Sequence, residues 1–61
     1  MELFLLYMND VCCYVFHDLE TALQKVQAVR REEFSLRQRI DRIRYNPTTG
    51  QVITSSIAYS S

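Results

Sequence analysis

"MELFLLYMNDVCCYVF", residues 1–16, is two runs of aromatic and branched residues meeting at Asn9-Asp10. Asn and Asp tolerate the positive φ of a two-residue hairpin turn, so the stretch predicts a β-hairpin. With Met8 opposite Val11, the register sets Tyr7 against Cys12, Leu6 against Cys13, Leu5 against Tyr14, Phe4 against Val15 and Leu3 against Phe16. Side chains alternate across a strand. One face then carries Phe4, Leu6, Met8, Val11, Cys13 and Val15, and the other Leu3, Leu5, Tyr7, Cys12, Tyr14 and Phe16. Both faces are apolar, and both require cover.

Residues 17–33, "HDLETALQKVQAVRREE", change period. Leu19, Ala22, Leu23, Val26 and Val29 recur at steps of three and four, which makes one apolar stripe on a helix. Asp18 suits the N-cap, Glu20 the first turn, and Arg30 and Arg31 the last turn of the dipole. Such a helix covers one face of the hairpin and leaves the other.

Residues 39–59, "RIDRIRYNPTTGQVITSSIAY", place the turn cluster Asn46-Pro47-Thr48-Thr49-Gly50 between two candidate strands. Pairing Tyr45 with Gln51 sets Ile43 against Ile53 and Asp41 against Ser55. It aligns Ile43, Tyr45, Ile53, Ile57 and Tyr59 on one face, with Arg42, Arg44, Val52 and Thr54 on the other. Ser35 with Gln38 also forms a capping-box pattern, and Leu36, Ile40 and Ile43 have helical spacing. The strand is the reading adopted for 39–45, because the turn and the β-rich run after it need an antiparallel partner; 34–38 are read as a short helical turn or loop. The expected fold is α+β: one domain over 1–61, with hairpin 2–17, helix 18–33 and hairpin 39–59. The order is ββαββ, a four-stranded antiparallel sheet with the helix on one face and the apolar first strand in the interior.

Composition narrows the class. A chain of 61 residues buries only about 60% of the surface its unfolded form exposes, so its core is marginal and a second subunit is an expected source of stability. Cys12 and Cys13 are adjacent, which strains a mutual bridge; they read as reduced thiols packed as small hydrophobes in a cytoplasmic protein. Glu2 stands where the positive region of a signal peptide belongs, and the apolar run breaks at Asn9 and Asp10, short of a membrane span. Neither a leader nor a membrane association is expected. Net charge is zero, but residues 1–29 set Glu2, Asp10, Asp18 and Glu20 against Lys25, while residues 30–61 set six arginines against Glu32, Glu33 and Asp41. The chain is a charge dipole along its length.

Catalytic signals are weak. Cys13 and His17 share an expected strand face, but four residues at about 3.4 Å each separate them by about 13 Å, beyond nucleophile–base reach. His17 reads better as a strand-end residue near Glu2. Cys12, Cys13, His17 and Asp18 include good metal ligands, yet neighbouring strand residues point to opposite faces and do not close a tetrahedron. Gly50, the one glycine, belongs to the turn, so no phosphate-cradling loop exists. The expectation is no enzyme, no metal and no cofactor.

The arginines are the distinctive polar feature. Arg30, Arg31, Arg37, Arg39, Arg42 and Arg44 stand against a single lysine, and arginine is enriched at protein interfaces where lysine is depleted. A solvated sheet face and helix end is the plain reading. The sharper one makes Arg37, Arg39, Arg42 and Arg44, with Tyr45 and Tyr59 as aromatic anchors, a protein-binding surface. The same groups could bind nucleic acid, with the tyrosines stacking on bases, although Asp41, Glu32 and Glu33 interrupt the positive field. Salt dependence separates the two, because phosphate contacts weaken steeply with added salt. The second apolar hairpin face, Leu3, Leu5, Tyr7, Tyr14 and Phe16, is the expected homodimer interface.

The order of elements, with an apolar first strand, the helix "DLETALQKVQAV" and the closing hairpin "RIRYNPTTGQVI", resembles the small α+β proteins encoded by bacteriophages and mobile elements, anti-CRISPR inhibitors among them. The resemblance is one of architecture. It implies a cytoplasmic, non-enzymatic inhibitor that blocks a bacterial defence nucleoprotein complex by steric occlusion. A nucleic-acid-binding protein and a structural homo-oligomer are the alternatives.

Overall fold

A computed structural model describes residues 1–33 and 35–61. Strands β1 (Glu2–Met8) and β2 (Val11–Phe16) lead into helix α1 (Leu19–Glu32), followed by β3 (Gln38–Tyr45) and β4 (Val52–Ser60). All pairings are antiparallel, in the order β2-β1-β3-β4. This is the expected ββαββ arrangement, with β1 in the interior. Residue 34, within the segment read as turn or loop, lies outside the described residues.

The first turn forms as its residues dictate: Asn9 and Asp10 have φ of 51° and 68°, the left-handed region that Asn and Asp enter at little cost. Its backbone is also held across the molecule, because Asn9 N–H donates to the Arg37 carbonyl at 3.0 Å. The second turn is closed by Asn46 N–H to the Gln51 carbonyl at 2.9 Å, with Asn46 Oδ1 accepting from Thr48 N–H at 2.8 Å. Gly50 completes it at φ 76°, a conformation that most residues other than Gly, Asn and Asp adopt only with strain.

The register of β1 with β2 differs from the expected one. Met8 pairs with Val11 and Tyr7 with Cys12, but Leu6 then pairs with Tyr14, Leu5 with Val15 and Phe4 with Phe16. Cys13 has no opposite number and forms a β-bulge. Every residue after it therefore changes face: Tyr14 and Phe16 join Phe4 and Leu6, and Val15 joins Leu5. The exchange puts two aromatic rings, instead of a cysteine and a valine, on the helix side. Phe16 packs against the core there, and the Tyr14 ring lies beneath Lys25 Nζ, 4.6 Å from its centroid. Cys12 and Cys13 are exposed rather than packed, because β2 is an edge strand.

Two further bulges shift the second hairpin. Tyr45 pairs with Val52 rather than Gln51, Ile43 with Ser55 rather than Ile53, and Asp41 with Ile57 rather than Ser55; Ile53 and Ala58 are the extra residues. Tyr59 pairs with Ile40 and so turns to the helix side, away from Tyr45.

The core lies between α1 and the β1–β3 centre of the sheet: Phe4, Leu6, Ala22, Val26 and Ile40 are buried, with Met8, Phe16, Leu19, Leu23 and Tyr59 packed around them. Gln38 is the buried polar member. Its Nε2 donates to the Val26 carbonyl at 3.2 Å, tying β3 to the middle of α1.

Asp18 caps α1 as expected: its carboxylate accepts from Thr21 N–H at 2.8 Å and from Thr21 Oγ1 at 2.9 Å. The backbone bond from Thr21, then the hydroxyl bond, hold its carboxyl below the ordinary aspartate range. A depressed folded pKa gives stability that is present above the unfolded pKa and lost as pH falls through the folded one. Asp18→Ala is therefore expected to lower the thermal midpoint at pH 7 and to have little effect in strong acid. An equal loss at pH 7 and below pH ~2 would place the effect elsewhere than in the charged cap.

Candidate protein-binding surface

Because α1 covers one side of the sheet, the odd-numbered residues of β1 and β3 form an uncovered face. It runs from Val15 on β2 through Leu3, Leu5 and Tyr7 on β1 and Ile43 and Tyr45 on β3 to Val52 and Ile57 on β4. The central residues are half-buried by one another, whereas the flanks stand in solvent: Val15 is 55% exposed, Val52 57% and Ile57 64%. All four strands contribute apolar side chains to this face, more than the scattered ones of an ordinary monomer surface, with Asp41 between Leu5 and Ile57 and Ser55 beside Ile43 as its polar interruptions.

One polar cluster sits at its Tyr7 end. Arg39 is clamped by Asp41, with Nε to Oδ1 at 2.9 Å and Nη2 to Oδ2 at 3.4 Å, and its Nη1 lies 4.0 Å from Asp10. Its guanidinium stacks on Tyr7, 4.4 Å from the ring centroid. Bidentate pairing and ring stacking both fix the planar guanidinium. Asp10, Arg37 and Ser60 complete, beside Tyr7 and Arg39, a cleft of about 260 Å³.

The expected arginine surface is divided. Arg39 lies on the uncovered face, while Arg42 and Arg44 lie on the helix side and reach Glu2: Arg42 through Nε and Nη2, Arg44 through Nε at 3.9 Å. Arg37 precedes β3 and is exposed. Period-two alternation separates residues 39 and 42, and β1 being interior brings Glu2 opposite Arg44. Glu2 thus faces β3 rather than His17, which stands beyond the end of β2 beside Asp18. Tyr45 is half-buried on the uncovered face, with its hydroxyl donating to Met1 Sδ at 3.4 Å, whereas Tyr59 belongs to the core side.

The residues read as an oligomer interface divide in the same way. Leu3, Leu5 and Tyr7 share the uncovered face, and the Cys13 bulge moves Tyr14 and Phe16 to the other. Val15, Ile43 and Val52 take their place, residues that sequence spacing assigned elsewhere or left out. No spacing rule signals the Arg39–Tyr7 stack, which depends on the register of β1 against β3.

Among the described residues no three His, Cys, Asp or Glu side chains converge as metal ligands, and no helix is long and apolar enough to cross a membrane. Comparison with known proteins finds no matching family model, curated protein or solved structure.

Proposed function

We propose that the chain is a non-enzymatic protein-binding module whose contact surface is the uncovered sheet face. The observation that carries this reading is the set of apolar side chains that all four strands place on this face, Val15, Leu3, Leu5, Ile43, Val52 and Ile57, with Asp41 among them and the stacked Arg39–Tyr7 pair at one end. Protein interfaces have this anatomy: an apolar centre with aromatic and arginine side chains already fixed in place. The division of the arginines favours a protein partner over nucleic acid. Arg39, Arg42 and Arg44 are each paired with a carboxylate and point to two sides of the sheet, so they do not form the one-sided positive track that a phosphate backbone requires. The architectural resemblance to phage inhibitors supplies the mode, steric blocking of a bacterial defence nucleoprotein complex, and requires no catalytic group.

The test compares the wild type with a Val15→Lys, Ile43→Lys double variant, both charges lying on the uncovered face. Affinity capture from bacterial lysate is expected to retain one defined partner on the wild type and to lose it on the folded double variant. Oligonucleotide binding that weakens steeply from low to physiological salt, with no protein captured, would overturn the reading in favour of nucleic acid.

A further inference from the structure

The free backbone edge of β4 borders the uncovered face and offers a second mode of contact, through its unpaired N–H and C=O groups. β4 is the last strand in the sheet, and Val52–Ala58 are exposed on both sides, with Ile53 and Ile57 at 65% and 64%. Natural edge strands are usually blunted by lysine, proline or inward-pointing charges. "VITSSIAYS", residues 52–60, contains none of these, whereas β1 and β3 carry Glu2, Arg39, Asp41, Arg42 and Arg44. The other edge, β2, is interrupted at its centre by the Cys13 bulge. In β4 the bulges flank a regular segment, Thr54 to Ile57, which pairs with Arg44 to Asp41 without a break.

That segment is self-complementary. Within it Thr54, Ser55 and Ser56 read nearly the same in either direction about Ser55, with the bulged Ile53 at its border. Two antiparallel edges related by a two-fold axis normal to the sheet keep their faces aligned and set one residue against its own copy. With Ser55 on the axis, Thr54 meets Ser56 of the second copy twice, the hydroxyl cross-strand pair that stabilises a ladder. A charged residue near the axis would meet its like, and the strand has none. We infer that β4 pairs antiparallel with β4 of a second copy of this chain about Ser55, giving a continuous eight-stranded sheet. The pairing joins the two uncovered faces side by side, both α1 helices lying on the opposite side.

The experiment uses the full chain. Sedimentation velocity across a concentration series is expected to show a monomer–dimer equilibrium. Ser55→Lys places two ammonium groups against each other and is expected to weaken association at least tenfold, while its circular dichroism stays native because Ser55 is solvent-facing. Ser55→Glu does the same alone, and an equimolar mixture of the two variants is expected to dimerise again. Register is read by cross-linking in a Cys12→Ser, Cys13→Ser background. Ser55→Cys brings two Cα atoms to about 4.5–5.5 Å, within disulfide range, whereas Ser60→Cys leaves its copies about 30 Å apart. Mild oxidation should link the first and not the second. A wild type that is monomeric at millimolar concentration, a dimer indifferent to Ser55→Lys, or absence of the Ser55→Cys link would each overturn the pairing. Val15→Lys, on the opposite edge, is expected to leave the dimer intact, so the fate of this pairing is separable from that of the proposed binding face.

Discussion

Val26→Asp is expected to abolish the cooperative thermal transition, while Ala28→Asp, two residues along the same helix, keeps it. Val26 is 2% exposed in the centre of α1, against Phe4, Leu6 and Ile40, whereas Ala28 faces solvent. The substitution removes a buried valine side chain, about 1.5 to 3 kcal/mol. It also forces a carboxylate into a site with no cation, which costs several kcal/mol more. The nearest polar group, the Gln38 amide, already donates to the Val26 carbonyl and carries no charge to offset the new one. A domain of this length has roughly 3 to 9 kcal/mol of total stability, so the combined loss is comparable with the whole. Ala28→Asp costs only helix propensity and an unfavourable charge towards the C-terminal end of the dipole, together about 1 kcal/mol. In a small domain that is about 4 to 8 °C in the midpoint. The pair is read by circular dichroism during heating, and equal midpoints would put the helix in a different phase from the one described.

That helix phase was legible from residue spacing alone, and so were both turns and the interior place of β1. Each rests on a local rule: a stripe at three and four, a cap at Asp18, and Asn and Asp at positive φ. The bulges at Cys13, Ile53 and Ala58 follow no such rule. Alternation carries a hairpin register outward from its turn without loss until one extra residue flips everything beyond it. Whether that residue is inserted depends on tertiary packing, here the gain from turning Phe16 toward α1. The same limit governs the candidate surface. Leu3, Leu5 and Tyr7 were placed together correctly because they lie on one uninterrupted strand. Tyr14, Phe16 and Tyr59 lie beyond bulges and fell on the wrong side. The arginine cluster looked continuous in the sequence, yet the period of two divides it between the faces, and the carboxylates that neutralise it come from Glu2, Asp10 and Asp41.

Leu6→Ala is expected to cost about 2 to 5 kcal/mol, and Leu5→Ala, its immediate neighbour, about 1 kcal/mol. Both lie on the central strand within the same apolar run, and only the face differs. Leu6 is fully buried between Ile40 and Tyr14 on the side covered by α1, so truncation leaves a void that a layer held from both sides does not close. Leu5 lies between Val15 and Asp41 on the uncovered face, only partly buried, and its removal opens a surface dimple that water fills. Urea titration should show a lower midpoint for Leu6→Ala with a similar slope, and a nearly native curve for Leu5→Ala. Similar losses for the two would mean that the outer face is packed as a core and has a cover within the chain. A small loss at Leu5 leaves its apolar surface without a folding role equal to that of Leu6. The opening stretch then divides at alternate positions, the even residues of β1 holding the domain together and the odd ones forming the uncovered face.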